Sequence, residues 1–436
     1  KEKRKYKSTP IIEDNSLTKD FLKSLPFELT SDQHKSIKEI LKDISKTKPM
    51  NRLLNGDVGS GKTVVAALAV LQCIRNNFSA ILLAPTTVLA NQHFDTFNKL
   101  LSPFDVDVQI WTSARKGKPR SHSSLIIGTH AVLYKSDTPE NLNLVVVDEQ
   151  HRFGVEQREK LLKTGKTKPH YLTMTATPIP RSLTEVVFGS TDVSIIKEKP
   201  KMQKEVITKY VPYYKREDCF KWVNERIKNS NFKQQAFIVY PLIEESYTLD
   251  AKAVLTEFQN LKNIYFKDIN IELMHGKLKE KEKADILERF RNKEINVLVS
   301  TSVIEVGIDM PDATIMIIED AHKFGLAQLH QLRGRVGRGE MESYRFVIAG
   351  QNQEKDPEVV NRLKYFALHS SGFDVAEYDL QRRGPGEVYG LKQSGIPQFK
   401  IASLTDIDMF KRTKNTAKEL VKSNIDLNFV LNHIFR

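Results

Sequence analysis

The sequence predicts an α/β protein with two tandem domains, each built on a mainly parallel sheet, followed by a small, mostly helical C-terminal segment. Short apolar runs rich in β-branched residues alternate with helical segments, which is typical of parallel sheets covered by helices. The alternation occurs twice, on either side of a charged stretch at 189–206 that we interpret as an interdomain hinge. A chain of 436 residues is long enough for about three domains.

The strands are predicted from apolar runs bounded by polar or turn-forming residues. In the first domain they are 52–55, 80–86, 125–129, 144–149 and 171–177. In the second domain they are 235–240, 271–276, 296–301, 314–319 and 344–350. Helices are predicted where apolar residues recur with a period near 3.6, as at 63–74 and 280–290. Another helix is expected to start at Thr30 or Ser31, either of which can cap it.

The predicted domain plan has four parts. Residues 1–24 are charged and weakly periodic, so we expect a tail or a connection from an N-terminal region. Residues 25–196 and 197–350 form the two α/β domains, and 351–436 form the helical C-terminal segment. The first residue is not Met, so we expect the chain to be part of a longer protein.

Composition narrows the class of partner. Lys and Arg together number 67 against 54 Asp and Glu, a net charge of +13 that suits a polyanionic partner. No apolar run approaches the ~20 residues of a membrane span, so no membrane partner is expected. The two cysteines, Cys73 and Cys219, have no metal-binding spacing, and Cys73 is predicted to lie in the core. We expect a reducing, cytoplasmic location.

The sequence GDVGSGKT at 56–63 fits the phosphate-binding pattern G-x-x-x-x-G-K-[ST] at every position. It follows a predicted strand and opens a predicted helix, as a P-loop requires. Backbone N–H groups of such a loop surround phosphate oxygens, and the helix N-terminus adds partial positive charge. Lys62 is expected to reach the β- and γ-phosphates of ATP, and Thr63 to bind Mg²⁺. The predicted nucleotide-binding residues of the loop are Gly56, Asp57, Val58, Gly59, Ser60, Gly61, Lys62 and Thr63.

Two adjacent carboxylates end the buried strand at 144–149. Open α/β sheets bind ligands beyond the carboxyl ends of their strands, so acids at this place predict chemistry on the nucleotide. We expect Asp148 to hold Mg²⁺, directly or through water, and Glu149 to orient or deprotonate the attacking water. The P-loop strand is expected to neighbour this strand in the sheet.

Two further features of the first domain are expected to serve the nucleotide site. Gln33 follows the predicted cap of a helix, and its amide can read an adenine edge. The sequence TAT at 175–177 ends a strand, and its small hydroxyl residues can link the acids to other parts of the site by hydrogen bonds.

The second domain carries QLHQLRGRVGRG at 328–339, with three arginines in six residues. Gln331, Arg335 and Arg338 share a spacing that can face one target, and a planar guanidinium suits a γ-phosphate. A basic loop that contacts nucleic acid is the alternative interpretation. In STSVIEVGIDMP at 300–311, Thr301 is expected to bond a nucleic-acid phosphate and Asp309 to couple to the nucleotide ribose.

These motifs together resemble superfamily 2 helicases, and most closely the RecG family of ATP-dependent DNA branch-migration helicases. The resemblance runs from about 25 to about 395 and rests on GDVGSGKT, DEQHRFGVEQR, TATPIPR, IEVGIDMP and AQLHQLRGRVGRG. It implies two RecA-like domains, ATP and Mg²⁺, and an enzyme that remodels Holliday junctions and stalled forks in recombination and repair. It also implies a location associated with the nucleoid.

The resemblance also assigns residues to DNA. APTTVLANQH at 84–93 and GTHA at 128–131 are similar to the family's strand-contacting motifs, which brings Pro85, Thr86, Thr129 and His130 near DNA. RRGPGEVYGLKQSG at 382–395 resembles the family's translocation motif, which implies that residues including Arg383 and Gln393 couple cleft motion to movement on duplex DNA.

Two other readings stay open at this point. The transcription-repair coupling factor shares HRFG, TATPIP and QLHQLRGRVGR, but GSGKT, DEQH and the segment at 382–395 are more like RecG. The other reading is a nucleotide-gated DNA-binding module without turnover, against which Lys62, Glu149 and Arg338 argue. We expect a monomer that binds branched or duplex DNA, with single-stranded DNA-binding protein as a partner. We also expect the family's N-terminal wedge domain to be missing from this chain.

Overall fold

The structure of the chain is a computed structural model. The residues that it describes are 7–112, 122–129, 132, 139–149, 167–180, 191–200, 206–241, 247–301, 310, 312–337, 341–383, 409, 412–413, 415–417 and 419. Two compact units are present, one made of Lys1–Pro178 and Val193–Val375, the other of Ile179–Asp192 and Ala376–Arg436. Both sheets lie in the first unit.

The first sheet has seven strands among the described residues, in the order β3-β4-β2-β5-β6-β1-β7. Their bounds are β1 Asn51–Gly56, β2 Ser79–Leu83, β3 Val108–Trp111, β4 Leu125–Gly128, β5 Leu142–Asp148, β6 His170–Thr175 and β7 Asp192–Ile196. The six strands β1, β2, β3, β4, β5 and β6 are all paired in parallel. Their carboxyl ends therefore meet at one edge of the sheet.

The strand carrying the two acids is not a neighbour of the P-loop strand. β5 pairs with β2 and β6, and β6 lies between β5 and β1. The expected adjacency is therefore wrong by one strand, because β6, the strand that ends in TAT, is inserted between the two. All three strands still end at the same edge, so the P-loop and the acids remain within reach of one ligand.

Four helices pack against one face of this sheet and share a single apolar core with it. They are α1 Asn15–Ser24, α2 Ser31–Ile44, α3 Lys62–Arg75 and α4 Thr87–Leu101. Helix α2 begins with a capping box, in which the Thr30 hydroxyl accepts from the Gln33 N–H and the Gln33 amide accepts from the Thr30 N–H. Helix α3 is apolar nearly all round and buried, including Cys73, as predicted.

The N-terminal stretch that was expected to be a tail is part of the core from Ile11 onward. Ile11, Leu17 and Phe21 are buried in the same apolar cluster as residues of α2 and α3. Asp14 caps α1 by accepting from the Ser16 and Leu17 N–H groups. The expectation was wrong because charged residues cover one face of α1, which hides the short apolar stripe on the other.

The second sheet has six strands among the described residues, in the order β10-β11-β9-β12-β13-β8, all paired parallel. Their bounds are β8 Ile207–Val211, β9 Gln235–Val239, β10 Ile271–Met274, β11 Val297–Ser300, β12 Ala313–Ile318 and β13 Tyr344–Ile348. The associated helices are α5 Arg216–Asn229, α6 Tyr247–Asn260, α7 Glu280–Arg291, α8 Leu326–Arg333, α9 Pro357–Leu368 and α10 Gly372–Arg383.

The three strands that sequence reasoning missed are all edge strands. β3 and β7 are the two edges of the first sheet, and β8 is one edge of the second. Strand β7 lies inside the stretch 189–206 that was interpreted as a hinge. Edge strands carry polar residues on their exposed side, so they lack the continuous apolar run by which buried strands are recognised.

Among the described residues, no helix is long and apolar enough to cross a membrane.

Replacement of Phe21 by Ala tests whether α1 is part of the core. Phe21 is fully buried, so we expect Phe21→Ala to lower the free energy of unfolding by about 3–5 kcal/mol. Chemical denaturation followed by circular dichroism measures this loss. Ile12→Ala, at a side chain that is 64% exposed, serves as the control and is expected to change stability by less than about 0.5 kcal/mol. A similar small effect of both substitutions would contradict the core role of α1.

Candidate nucleotide-binding site

The P-loop connects the end of β1 at Gly56 to the start of α3 at Lys62. Gly59 and Gly61 have φ of +77° and +78°, which only glycine adopts without strain. A Cβ on Gly61 would lie 2.2 Å from Nε2 of Gln33, so glycine is also required there by the close approach of α2. The strand, the loop and the helix thus have the arrangement that the motif predicts.

The loop presents cationic and polar groups suited to a nucleoside triphosphate. The Lys62 ammonium donates to the carbonyls of Gly56 and Asp57, both at 2.8 Å, which holds it across the inside of the loop. Ser60 Oγ is buried without a hydrogen-bond partner among the described residues. Such a buried hydroxyl fits an additional polar ligand. Thr63, the expected Mg²⁺ ligand, is half-buried at the start of α3.

Gln33 contacts the P-loop rather than standing apart from it. Its side chain is 2% exposed, its Oε1 accepts from the Thr30 N–H at 2.8 Å, and its Nε2 donates to the Ser60 carbonyl at 2.8 Å. Both ends of the amide are therefore engaged by the protein. The adenine-reading role of Gln33 stays a prediction, since in this structure the amide connects the cap of α2 to the loop.

Asp148 ends β5 and is held by a residue from another element. His93 of α4 has its Nε2 2.8 Å from Asp148 Oδ2, and the His93 side chain is buried. Burial raises the pKa of Asp148, but the hydrogen bond and attraction of His93, with the charge of Lys62, outweigh it and leave the pKa below its ordinary value. Asp148 therefore remains an anion, the form that binds a hard cation.

Glu149, the next residue, has the opposite tendency. Burial and the charge of Asp148 raise its pKa to about 7. Its backbone is in the left-handed region, with φ of +52°, and its carboxylate accepts from the Ala176 N–H at 3.2 Å and the Thr175 hydroxyl at 3.4 Å. A carboxylate with a pKa near neutrality, held in one orientation, has the properties of a general base.

The sequence TAT joins Glu149 to the second sheet. Thr175 and Ala176 donate to the Glu149 carboxylate, while the Thr177 hydroxyl accepts from Gln331 Nε2 at 2.7 Å. The predicted linking role of these small hydroxyl residues is present as hydrogen bonds. Gln331 lies on α8, so the acid at the end of β5 is connected through three residues to the helix of the second domain.

The arginines at the end of α8 and just after it differ in their surroundings. Arg335 is half-buried, and its charge lowers the pKa of Glu149. Arg338 lies outside the described residues. Arg333 is buried, lies 3.8 Å from the centre of the Phe366 ring and donates to the carbonyls of Phe366 and His369. Arg333 therefore connects α8 to the end of α9.

The residues expected to contact DNA are presented unequally. Pro85 and Thr86 are half-buried at the start of α4, where the Thr86 hydroxyl caps the helix by accepting from the Leu89 N–H. Thr129 is buried after β4, at 7% exposure. His130, Asp309 and Gln393 lie outside the described residues. Arg383 is the last residue of α10, and its side chain also lies outside them.

The phosphate contact expected of Thr301 stays a prediction, because the Thr301 side chain is buried in this structure. Thr301 is 2% exposed, and its N–H donates to the Met274 carbonyl at 3.3 Å. It therefore continues the pairing of β11 with β10 by one residue beyond the strand. Its hydroxyl is buried without a partner among the described residues.

Two histidines of the site were not found from sequence. His93 binds Asp148, and His330 of α8 binds Asp57 of the P-loop through Nε2. Both lie inside motifs that the sequence displays, APTTVLANQH and QLHQLRGRVGRG. No local pattern reveals either pairing, because the partners lie 55 and 273 residues away along the chain.

Comparison with protein families matches both halves of this site. Residues 30–186 match the family described as DEAD/DEAH box helicase, and residues 218–340 match the family described as helicase conserved C-terminal domain. The first range contains the P-loop, Asp148 and Glu149, and the second contains α8.

Comparison with whole proteins identifies the family. The chain is 43% identical to the ATP-dependent DNA helicase RecG of Aquifex aeolicus, over 97% of this chain and 55% of that protein. The chain belongs to the RecG family. It is also 43% identical to the RecG of Bacillus subtilis, over 93% of this chain and 60% of that protein. The chain thus spans about half the length of the curated RecG relatives it matches.

A solved RecG structure gives the same result in three dimensions. The structure described as RecG bound to a three-way DNA junction matches with a TM-score of 0.79 and 40% identity, over 94% of this chain and 54% of that chain. At this identity and coverage, the two sheets and the helices after them have the fold of the corresponding part of RecG.

Replacement of His93 tests its hold on Asp148. Groups that orient a metal-binding carboxylate or histidine contribute about 10–100-fold to metal affinity. We expect His93→Ala to raise the Mg²⁺ concentration for half-maximal binding of a fluorescent ATP analogue by about that factor, and His93→Gln to raise it less.

The matched control for this test is Asp95→Asn, an exposed position on the same helix, which is expected to leave the Mg²⁺ dependence unchanged. An unaltered Mg²⁺ requirement in His93→Ala would rule out a role of His93 in orienting Asp148.

Proposed function

We propose that this chain is the motor of an ATP-dependent DNA helicase and translocase that remodels branched DNA, including Holliday junctions and stalled replication forks. The observation that carries the proposal is the pair of carboxylates next to a complete P-loop, one kept anionic and the other with a pKa of about 7. Family membership supports the substrate, because the solved RecG relative is described as bound to a three-way DNA junction.

The P-loop residues, Gly56 to Thr63, are proposed to bind the phosphates of ATP, with Lys62 leaving the carbonyls of Gly56 and Asp57 to do so. Thr63 and Asp148 are the residues that would hold Mg²⁺. When bound, Mg²⁺ would neutralise charge that develops on the phosphate oxygens. Glu149 accepts a proton from the attacking water, and its bonds to Thr175 and Ala176 fix the direction from which it does so.

The second domain is proposed to complete the site. Gln331, Arg335 and Arg338 supply an amide and two guanidinium groups toward the γ-phosphate, and an arginine in this role contributes roughly 10³–10⁵ in rate. The bond between Gln331 and Thr177 supports this, because it joins α8 to the segment that holds Glu149. Asp309 is proposed to bind the ribose and Gln33 the adenine.

DNA is proposed to bind across both domains. Pro85, Thr86 and His130 are the proposed contacts of the first domain, with Arg383 and Gln393 coupling domain motion to movement on duplex DNA. Thr129 and Thr301 would contact DNA only if their buried side chains become exposed. The net charge of +13 supports a polyanionic substrate. A monomeric state and a contact with single-stranded DNA-binding protein are parts of the same proposal.

The transcription-repair coupling reading is not favoured. The relatives compared above are RecG proteins, at 43% identity over nearly the whole chain. A motor shared by the two families does not by itself predict a polymerase partner.

The substrate is tested by measuring ATPase rates of the chain without DNA, with single-stranded DNA, with linear duplex and with a three-way junction. We expect the junction to stimulate most, since the proposed substrate is branched. The same series on a longer protein that includes the wedge domain shows whether the motor alone recognises the branch. Absence of stimulation by any DNA in both proteins would overturn the proposed function.

The role of Glu149 is tested by its pH dependence. A protonated Glu149 cannot accept a proton, so we expect kcat to fall about tenfold per pH unit below pH 7, the neighbourhood of its pKa, and to level off above it. Glu149→Gln is expected to lower kcat by about 10²–10⁴-fold while ATP still binds, and to abolish this pH dependence. Equal loss of binding and hydrolysis would contradict the role.

A further inference from the structure

Asp57 lies inside the P-loop motif, yet its side chain binds residues outside the loop. It occupies one of the variable positions of the pattern, where the motif requires no particular residue. The carboxylate is 3% exposed and is contacted by groups from three other segments of the chain. A buried, charged side chain at a position that the motif leaves open calls for an explanation of its own.

Each oxygen of the Asp57 carboxylate has defined partners. Oδ1 accepts from the Val58 N–H at 2.7 Å and from Nε2 of His330, which lies on α8. Oδ2 accepts from the N–H of Gly372, the first residue of α10, at 3.3 Å, and lies 3.3 Å from the ammonium of Lys199. One carboxylate thus joins the P-loop of the first sheet to α8, which lies between β12 and β13, and to α10, which follows the second sheet.

The packing around Asp57 is too close for ordinary side chains. A Cβ on Gly334, at the end of α8, would lie 2.3 Å from Cγ1 of Val58. A Cβ on Gly372 would lie 2.4 Å from Nε2 of His330. Glycine at these two places lets the helix ends approach the P-loop closely enough for the hydrogen bonds to form.

The negative charge of Asp57 favours the arrangement in which α8 and the start of α10 contact the P-loop. Burial raises the pKa of Asp57, but the hydrogen bond and attraction of His330, with Lys199, outweigh burial and hold the pKa well below its usual range. A buried anion is unfavourable unless its donors are in place. If α8 or the start of α10 moves away, Asp57 loses donors, so the charge favours the arrangement in which both are seated.

We propose that Asp57 is a positioning residue that fastens the P-loop to α8 and to the first turn of α10, so that Gln331 and Arg335 face the nucleotide. We call this set of contacts, Asp57 with His330, Gly372 and Lys199, the P-loop latch. The inference rests on the proposed function and deepens it. Lys62 couples nucleotide binding to the latch. Its ammonium donates to the Asp57 carbonyl and has to leave that carbonyl to bind phosphate.

The latch predicts non-additive effects of its two central residues. We expect Asp57→Asn and His330→Ala each to lower the DNA-stimulated kcat about tenfold with less than about threefold change in the KM for ATP. The double variant is expected to lose about tenfold as well, since either change breaks the same contact. His330→Gln, whose amide can reach as far as Nε2, is expected to stay within about threefold of the unchanged chain.

A second measurement does not depend on ATP hydrolysis. The Gly372 N–H donates to Asp57, so hydrogen–deuterium exchange in the peptide that contains Gly372 is expected to accelerate about tenfold in Asp57→Asn. Asp43→Asn is the matched control. It removes a carboxylate that contacts Arg52 at 2.5 Å within the first domain, away from α8 and α10. This control is expected to change neither the exchange at Gly372 nor the DNA stimulation.

The outcomes separate the latch from the proposed function. Unchanged exchange at Gly372 in Asp57→Asn, or a double variant that loses about a hundredfold in kcat, overturns the latch. If the protein without substitutions shows no DNA-stimulated ATPase activity, the proposed function is overturned. The exchange measurement then still decides whether the latch exists. Faster exchange, non-additive kcat values and rescue by His330→Gln together support it.

Discussion

The site depends on two adjacent buried carboxylates being given different protonation behaviour. Asp148 and Glu149 are adjacent at the end of one strand, and two neighbouring negative charges oppose each other's ionisation. The donor that His93 supplies to Asp148 resolves the conflict, because it lowers the pKa of one acid and leaves the other near 7. One residue can then bind a cation while its neighbour exchanges a proton, as in other enzymes where environment separates two acids.

Hydrogen bonds also connect Glu149, at the edge of the first sheet, to α8 of the second domain. Its carboxylate is held by Thr175 and Ala176, and Thr177 of the same segment is held by Gln331 of α8. Any movement of α8 relative to β6 therefore changes the surroundings of the proposed base. The same helix contacts the P-loop through His330 and the end of α9 through Arg333. The side chains of His330, Gln331 and Arg333, within one turn of α8, thus contact three different segments of the chain.

Sequence reasoning recovered the central strands, the P-loop and the acids, because each leaves a local pattern: a buried apolar run, a glycine spacing or a charge at a strand end. It missed β3, β7 and β8, since edge strands mix polar and apolar residues. It missed His93 and His330 for another reason. Their partners are 55 and 273 residues away, and a single sequence carries no signal for such pairings. The burial of Thr301 was not found either, because it depends on the pairing with β10.

The contacts around α8 hold the proposed catalytic groups of the two domains together. Asp57 and Thr177 hold α8 from the first domain through His330 and Gln331. Arg335, whose charge lowers the pKa of Glu149, follows the same helix by two residues. Under the proposed function, groups that the protein holds in place do not have to be positioned by binding energy from the nucleotide. Nucleotide binding would then change only local contacts. Lys62 would exchange its carbonyl partners for phosphate, and loss of its bond to the Asp57 carbonyl would act on the loop that carries the latch.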